Sequence, residues 1–396
     1  MKWSSAIRKF FRGAHAPRVL LAAPRRKLAP YAFTTLLVPS PPNPSARRRR
    51  EHAGARVLPV TCKTLALAFA CISAWVPFIA QSLGADSPSA QTNAQPTVIL
   101  VVGAPGEDAY GDQFGQWAKA WEKICGEANA KRIALGSEKE SGESDHDRLK
   151  KILDAEAKES LAELWLVLLG HGTFDGKDAK FNLRGPDLTA SECAEWLHAF
   201  HRPLVVINCA SASGPFLNAL SGPGRVVITA TRSGFEQNYA HFGEFLASAV
   251  ADPAADLDKD GQVSVLEAFL TGSNRAGEFY KNEGRLATEH ALLDDNGDGK
   301  GTPADWFRGI RATKKAVEGS SADGLRAHQI HLIRSRQELE LPAEIRAQRD
   351  KLELEIAKLR DLKERIPADD YYRQLEPLMI GLALVYEKSG GKDAQK

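Results

Sequence analysis

LWLVLLGHG (164–172) and PLVVINCASASG (203–214) are the stretches on which the reading of this chain turns. Each is a short apolar run without polar alternation, the pattern of a strand covered on both faces. The first stops at Gly170-His171-Gly172 and the second at Cys209. Working outward, VILVV (98–102), RIAL (132–135) and RVVITA (225–230) repeat the pattern. Between them lie helical segments. Gln113–Ala128 carries Phe114, Trp117, Ala118, Trp121 and Ile124 on one stripe, a second helix spans about 145–160, and Thr189–Phe200 opens with capping chemistry at Thr189, Ser191 and Glu192. Gly214–Leu220 and Phe242–Val250 complete the alternation. Strand–helix alternation with unbroken apolar strands predicts an α/β/α sandwich around a mainly parallel sheet. Sites in such sheets lie beyond the carboxyl ends of the strands, where His171 and Cys209 fall.

A thiol attacks as thiolate, and a neighbouring imidazole promotes that form. The glycines beside His171 leave room for substrate and free backbone N–H groups, and the Gly172 and Cys209 amides are candidates to stabilise an oxyanion. The order strand–His171-Gly172, then strand–Asn208-Cys209-Ala210-Ser211, resembles the legumain-like peptidases of the caspase-like clan, as does TATRSGFEQNYA (229–240), where Thr229, Glu236, Tyr239 and Ala240 match without a gap. The resemblance spans about residues 97–250. It implies a caspase-like fold and a cysteine endopeptidase acting on polypeptides through a thioester acyl-enzyme. His171 would be general base or acid, Cys209 the nucleophile and Gly172 an oxyanion donor. Where legumains carry an Arg-His pair after the first strand, this chain has Gly111-Asp112. The acidic Glu107, Asp108 and Asp112 point instead to a preference for a basic residue. Transpeptidation by the same acyl-enzyme stays open, and so does a non-catalytic binding or scaffold protein on the same fold. No GxSxG elbow supports a serine hydrolase, and GAPGEDAYG (103–111) lacks the GxGxxG and P-loop lysine of a nucleotide site.

Two acidic loops come next along the chain. Asp256-Leu-Asp-Lys-Asp-Gly-Gln-Val-Ser-Val-Leu-Glu267 fits a twelve-residue EF-hand loop. Asp256, Asp258 and Asp260 supply oxygens, Gln262 its carbonyl, Ser264 a water contact and Glu267 two oxygens. The second, Asp294-Asp-Asn-Gly-Asp-Gly299, offers Asp294, Asn296 and Asp298 with Asp305 at the twelfth position, although Pro303 interrupts the helix that should begin there. The expected ion is structural Ca2+.

The ends differ in kind. Residues 1–85 carry 14 Lys+Arg against Glu51 alone, leaving 38 Lys+Arg against 49 Asp+Glu in the rest. An acidic body lacks the cationic footprint that nucleic acid requires. Arg47–Arg50 and Lys63 precede the apolar Thr64–Ala80, the pattern of a secretory signal with Ala85 as cleavage point, or of a retained membrane anchor. Translation from Val57 or Val60 would shorten the upstream extension. A secreted or periplasmic protein is expected, with a membrane contact only through 64–80. Three of the five cysteines, Cys125, Cys193 and Cys209, fall in the body, an odd number without CxxC spacing that leaves a free thiol. The expected organisation is a linker over 86–96, a peptidase domain over 97–255, a calcium-binding segment over 256–310, and a helical hairpin over 324–390 broken at Pro367 and suited to self-association or a protein partner.

Overall fold

The computed structural model describes residues 95–137, 142–317 and 320–390, so the basic extension, the signal or anchor segment and nearly all of the linker lie outside the described residues. The described residues begin their secondary structure with β1 (Thr97–Val102), α1 (Asp108–Glu127), β2 (Lys131–Leu135), α2 (Asp145–Ala155) and β3 (Leu164–Leu169). A small antiparallel sheet is built from β4 (Gly172–Phe174), β5 (Ala179–Phe181) and β6 (Leu188–Thr189). Then come α3 (Ala190–Leu197), β7 (Leu204–Asn208), α4 (Gly214–Leu220), β8 (Arg225–Thr229), α5 (Phe242–Val250) and α6 (Val265–Asn282). Strands β9 (Leu292–Asp294) and β10 (Thr302–Pro303) precede a two-stranded ribbon, β11 (Phe307–Arg308) with β12 (Arg311–Ala312). Helices α7 (Leu325–Gln329), α8 (Arg336–Glu340), α9 (Ala343–Asp361) and α10 (Ala368–Gly390) close the chain.

The main sheet runs β10-β9-β8-β7-β3-β1-β2, parallel from β2 to β8 and antiparallel at β9 and β10. This is the mainly parallel α/β sandwich that the apolar runs predict. Alternation along each strand divides the core in two. Trp165, Val167 and Leu169 of β3 and Val205 and Ile207 of β7 face α1, α5 and α6. Leu164, Leu166, Leu168, Leu204 and Val206 face α2, α3 and α4. Burial of side chains such as Trp121 and Phe269, each contributing roughly 1.5–3 kcal/mol, fixes which face each helix takes. Thr189 caps α3 in a reciprocal box with Glu192, as the sequence suggests.

At the amino edge, buried Arg202 donates to the carbonyls of Ala162 at 2.8 Å and Glu163 at 3.0 Å and pairs with Glu156 at 3.8 Å. α9 and α10 pack on each other across the break at Pro367, burying Ile356, Leu359, Tyr371 and Val385. Among the described residues, no helix is long and apolar enough to cross a membrane.

Candidate functional site

The strand order reverses between β1 and β3, and the crevice at that switch point holds His171. Its Nε2 lies 3.2 Å from the Pro105 carbonyl oxygen, on the loop after β1. The ring sits edge-on to Tyr110 at 4.6 Å, Phe114 at 5.0 Å and Tyr239 at 5.9 Å. Burial among these rings lowers the His171 pKa, against the pull of the Pro105 carbonyl and Glu107. Burial thus favours the neutral imidazole.

β3 and β7 are neighbours, and His171 and Cys209 follow the parity of the face packed against α1. The register, however, sets them at different depths. Leu168 pairs with Asn208, and the Cys209 amide donates to the Leu168 carbonyl at 2.9 Å, so Cys209 lies beside Leu169. Two residues on, Ser211 is the residue of this turn that bonds to the segment after His171, at Gly172. Cys209 comes just after the end of β7, beside the end of β3 and short of His171. It is 1% exposed, in the core with Trp117 and Phe242. A methyl group added at Gly243, near the start of α5, would come within 2.8 Å of the Cys209 Cβ and 2.9 Å of the Trp117 ring, so only glycine lets the helix approach this closely. Burial, and then the Glu289 carboxylate, push the Cys209 thiol far up, and no hydrogen bond joins it to His171. This is the environment of a protonated core thiol.

The Gly172 N–H is engaged by Ser211. The amide donates to Ser211 Oγ at 3.3 Å, and that hydroxyl donates back to the Gly172 carbonyl at 3.1 Å. Any side chain at Gly172 would meet the Ser211 carbonyl oxygen, 2.2 Å from an added Cβ. Beyond Ser211 the turn is tied to the loop after β8. Ala212, in the left-handed region at φ 54°, donates its amide to the Glu236 carbonyl at 2.7 Å, and Ser213 Oγ lies 3.1 Å from Thr231 Oγ1. The Glu236 carboxylate meets His290 Nδ1 at 2.6 Å.

Sequence reasoning missed Ser211, and it missed Glu289. Glu289 is 6% exposed and accepts from the His241 and Phe242 amides at 2.8 and 3.0 Å, capping α5 from a distant segment. Glu107, Asp108 and Asp112 are exposed around the start of α1, and in the loop after β8 Phe235 stands 78% exposed against Phe174.

The first acidic loop brings its carboxylates together. One oxygen from each of Asp256, Asp258 and Asp260 lies within 4.8 Å of the others. Glu267 is outside that group. Its Oε1 accepts from the Leu257 and Asp258 amides at 2.7 and 3.2 Å, and its Oε2 from the Ser264 amide and hydroxyl at 2.9 and 2.8 Å. Ser264 caps α6, and Gln262 Oε1 accepts from the Ser335 amide at 2.9 Å. The donor set thus fits a divalent cation through three aspartates, with Glu267 serving as scaffold. Asp258 is held low by its hydrogen bond with His328, whereas burial and the neighbouring Asp258 raise Asp260.

The second loop departs from the EF-hand expectation. It is the turn of the β9–β10 hairpin, because Pro303 enters β10 where a helix would have to start. Asp294, Asp298 and Asp305 form no carboxylate cluster among the described residues, and Asp305 is exposed on a 3-10 turn. Asp294 accepts from the Gly297 and Gly299 amides at 3.0 Å each, while Asn296 Nδ2 donates to the Ser321 carbonyl at 2.9 Å.

No family model matches the chain, and no curated protein does. Among solved structures, the chain is similar to the Drosophila initiator caspase Dronc at 14% identity, over 53% of this chain and 82% of that one, with a TM-score of 0.36. It is also similar to a structural-genomics protein of Geobacter sulfurreducens at 12% identity, over 51% of this chain and 93% of that one, with a TM-score of 0.33. Likeness this slight bears on no residue of the site, and none of it supports the legumain-like assignment.

Proposed function

We propose that the chain is a caspase-type module that binds polypeptide at the carboxyl edge of its sheet, without Cys209 acting as nucleophile in the folded state. The observation that carries this reading is the depth of Cys209, short of His171 and sealed by Trp117 and Gly243. The exposed Phe235 offers an apolar contact, and Glu107, Asp108 and Asp112 favour a basic segment. A divalent cation at the first acidic loop belongs to the same reading, as a structural element near the start of α6.

A second reading, a cysteine endopeptidase, is favoured by the shared face and paired strands of His171 and Cys209. In it Cys209 attacks the scissile carbonyl, His171 handles the proton, and the Gly172 amide takes the oxyanion once Ser211 lets go of it. Hydrolysis or transfer to an amine would then resolve the thioester.

Mass spectrometry after treatment with an acyloxymethyl-ketone peptide probe separates the two. The folded full chain should show no adduct on Cys209, and the urea-unfolded chain should label there. A single adduct on folded Cys209 that disappears in His171→Ala would overturn the binding reading in favour of the peptidase. Fluorescent basic peptides should bind the folded chain uncut, and Phe235→Ala should weaken that binding about tenfold. Equal binding of basic and acidic peptides removes the charge preference.

A further inference from the structure

The cation loop has neighbours that its own sequence does not contain. The segment after α7 runs alongside it, held by the Val265 amide donating to the Ile330 carbonyl at 2.9 Å. α7 and the segment after it carry one histidine each, His328 and His331, to the three aspartates. His328 Nε2 lies 3.0 Å from Asp258 Oδ2. His331 is 9% exposed, its Nε2 has no hydrogen-bond partner among the described residues, and that nitrogen lies 4.0 Å from Asp260 Oδ2. An unpartnered polar atom at this depth is costly unless something satisfies it. His331 Nε2 approaches Asp260 alone and, like His328 and Glu267, lies outside the 4.8 Å group of the three carboxylates, so an ion there would have to draw the ring in to satisfy it.

We propose that Asp256, Asp258 and Asp260 together with His331 form a mixed carboxylate–imidazole site for a divalent first-row transition ion, with His328 as a second imidazole at its rim. This rests on reading the loop as a cation site and changes the class of ion it takes. Calcium fills its shell with six to eight oxygens, and in an EF-hand two of them come from the twelfth residue. Here Glu267 gives both oxygens to backbone amides and Ser264, so the oxygen shell is short. An imidazole nitrogen in its place suits zinc, cobalt, nickel, copper or manganese and disfavours calcium. Two ligand-bearing segments some 70 residues apart are then clamped by one ion, which ties α7 and the start of the C-terminal helices to α6.

The test titrates the metal-free full chain with Co2+, Zn2+ and Ca2+, and records pulsed electron paramagnetic resonance of the Cu2+-loaded protein. One equivalent of Co2+ or Zn2+ should bind at least about tenfold more tightly than Ca2+. The Cu2+ spectrum should carry the coupling of a bound imidazole nitrogen, reduced in His331→Gln, lost when His328→Gln is added to it, and kept in His201→Gln. Should His331→Gln fail to fold, the wild-type nitrogen coupling decides alone. An ion bound without nitrogen coupling overturns the proposal. Tighter binding of Ca2+ than of Co2+ or Zn2+ overturns it while leaving an all-oxygen calcium loop in place. If no divalent ion binds, the proposal and the cation reading of the loop both fall.

Discussion

The two acidic loops are near twins in sequence and differ in their surroundings. Each begins with an aspartate whose oxygens gather backbone amides: Asp256 takes those of Asp260 and Gly261 at 3.2 and 3.1 Å, and Asp294 those of Gly297 and Gly299. Their surroundings separate them. The first leads into α6, and its carboxylates at Asp258 and Asp260 face histidines. The second leads into β10, and its neighbour is another buried carboxylate. Asp323 accepts from the Asp295 amide at 3.1 Å and the Asn296 amide at 3.3 Å, while Asp295 accepts from Gly324 and Ala327 at 2.9 and 2.8 Å. A carboxylate pattern thus comes to face imidazoles or to serve as a backbone strut according to what the rest of the chain brings alongside.

The largest effect should come from the strut. Asp295→Ala strips two buried amides of their acceptor and should destabilise the fold by about 3–5 kcal/mol, read as a lowered denaturant midpoint. An equal effect from Asp258→Ala in metal-free protein would erase the contrast between the loops. Next is pH. Burial and the Asp295 charge raise the Asp323 pKa to about 8. A carboxyl raised on folding binds more protons in the native than in the unfolded state between about pH 4 and 8, so its stabilising share is full below about pH 4 and is lost as pH rises through about 8. Unfolding free energy should therefore fall by roughly 3–4 kcal/mol from pH 5 to 8, and Asp323→Asn should flatten that slope. A slope that persists in this variant would assign it to another group. Glu267→Ala should cost about 1–2 kcal/mol without metal, because it removes a capping box and two loop contacts. Smallest, Asp298→Asn should change stability by less than about 0.5 kcal/mol and leave the single bound equivalent of divalent ion intact. Binding of two equivalents by the wild type, falling to one in Asp298→Asn, would restore a second ion site.

Much of the fold is legible in the sequence, because β1, β3, β7 and β8 are unbroken apolar runs between helices with clear stripes. The short edge strands are not. Leu292–Asp294 and Thr302–Pro303 are too brief to show periodicity, and they become strands only by pairing with β8 and each other. The same limit governs the site. Apolar runs place His171 and Cys209 on neighbouring strands, but register decides their depth, and register depends on packing on both faces. Ser211 therefore bonds to Gly172 without any local sequence signal. Glu289, His328 and His331 escape for a related reason, since each acts on an element far from it along the chain.

The Glu289 carboxylate holds the first amides of α5, the helix whose Gly243 closes over Cys209. A fluctuation that bares the thiol must lift this helix end, and lifting it strands a buried carboxyl group without its amide partners. Solvent access to Cys209 and deuterium uptake at the His241 and Phe242 amides therefore share one opening event and should proceed at one common rate, set by a carboxylate 80 residues downstream of the sulfur.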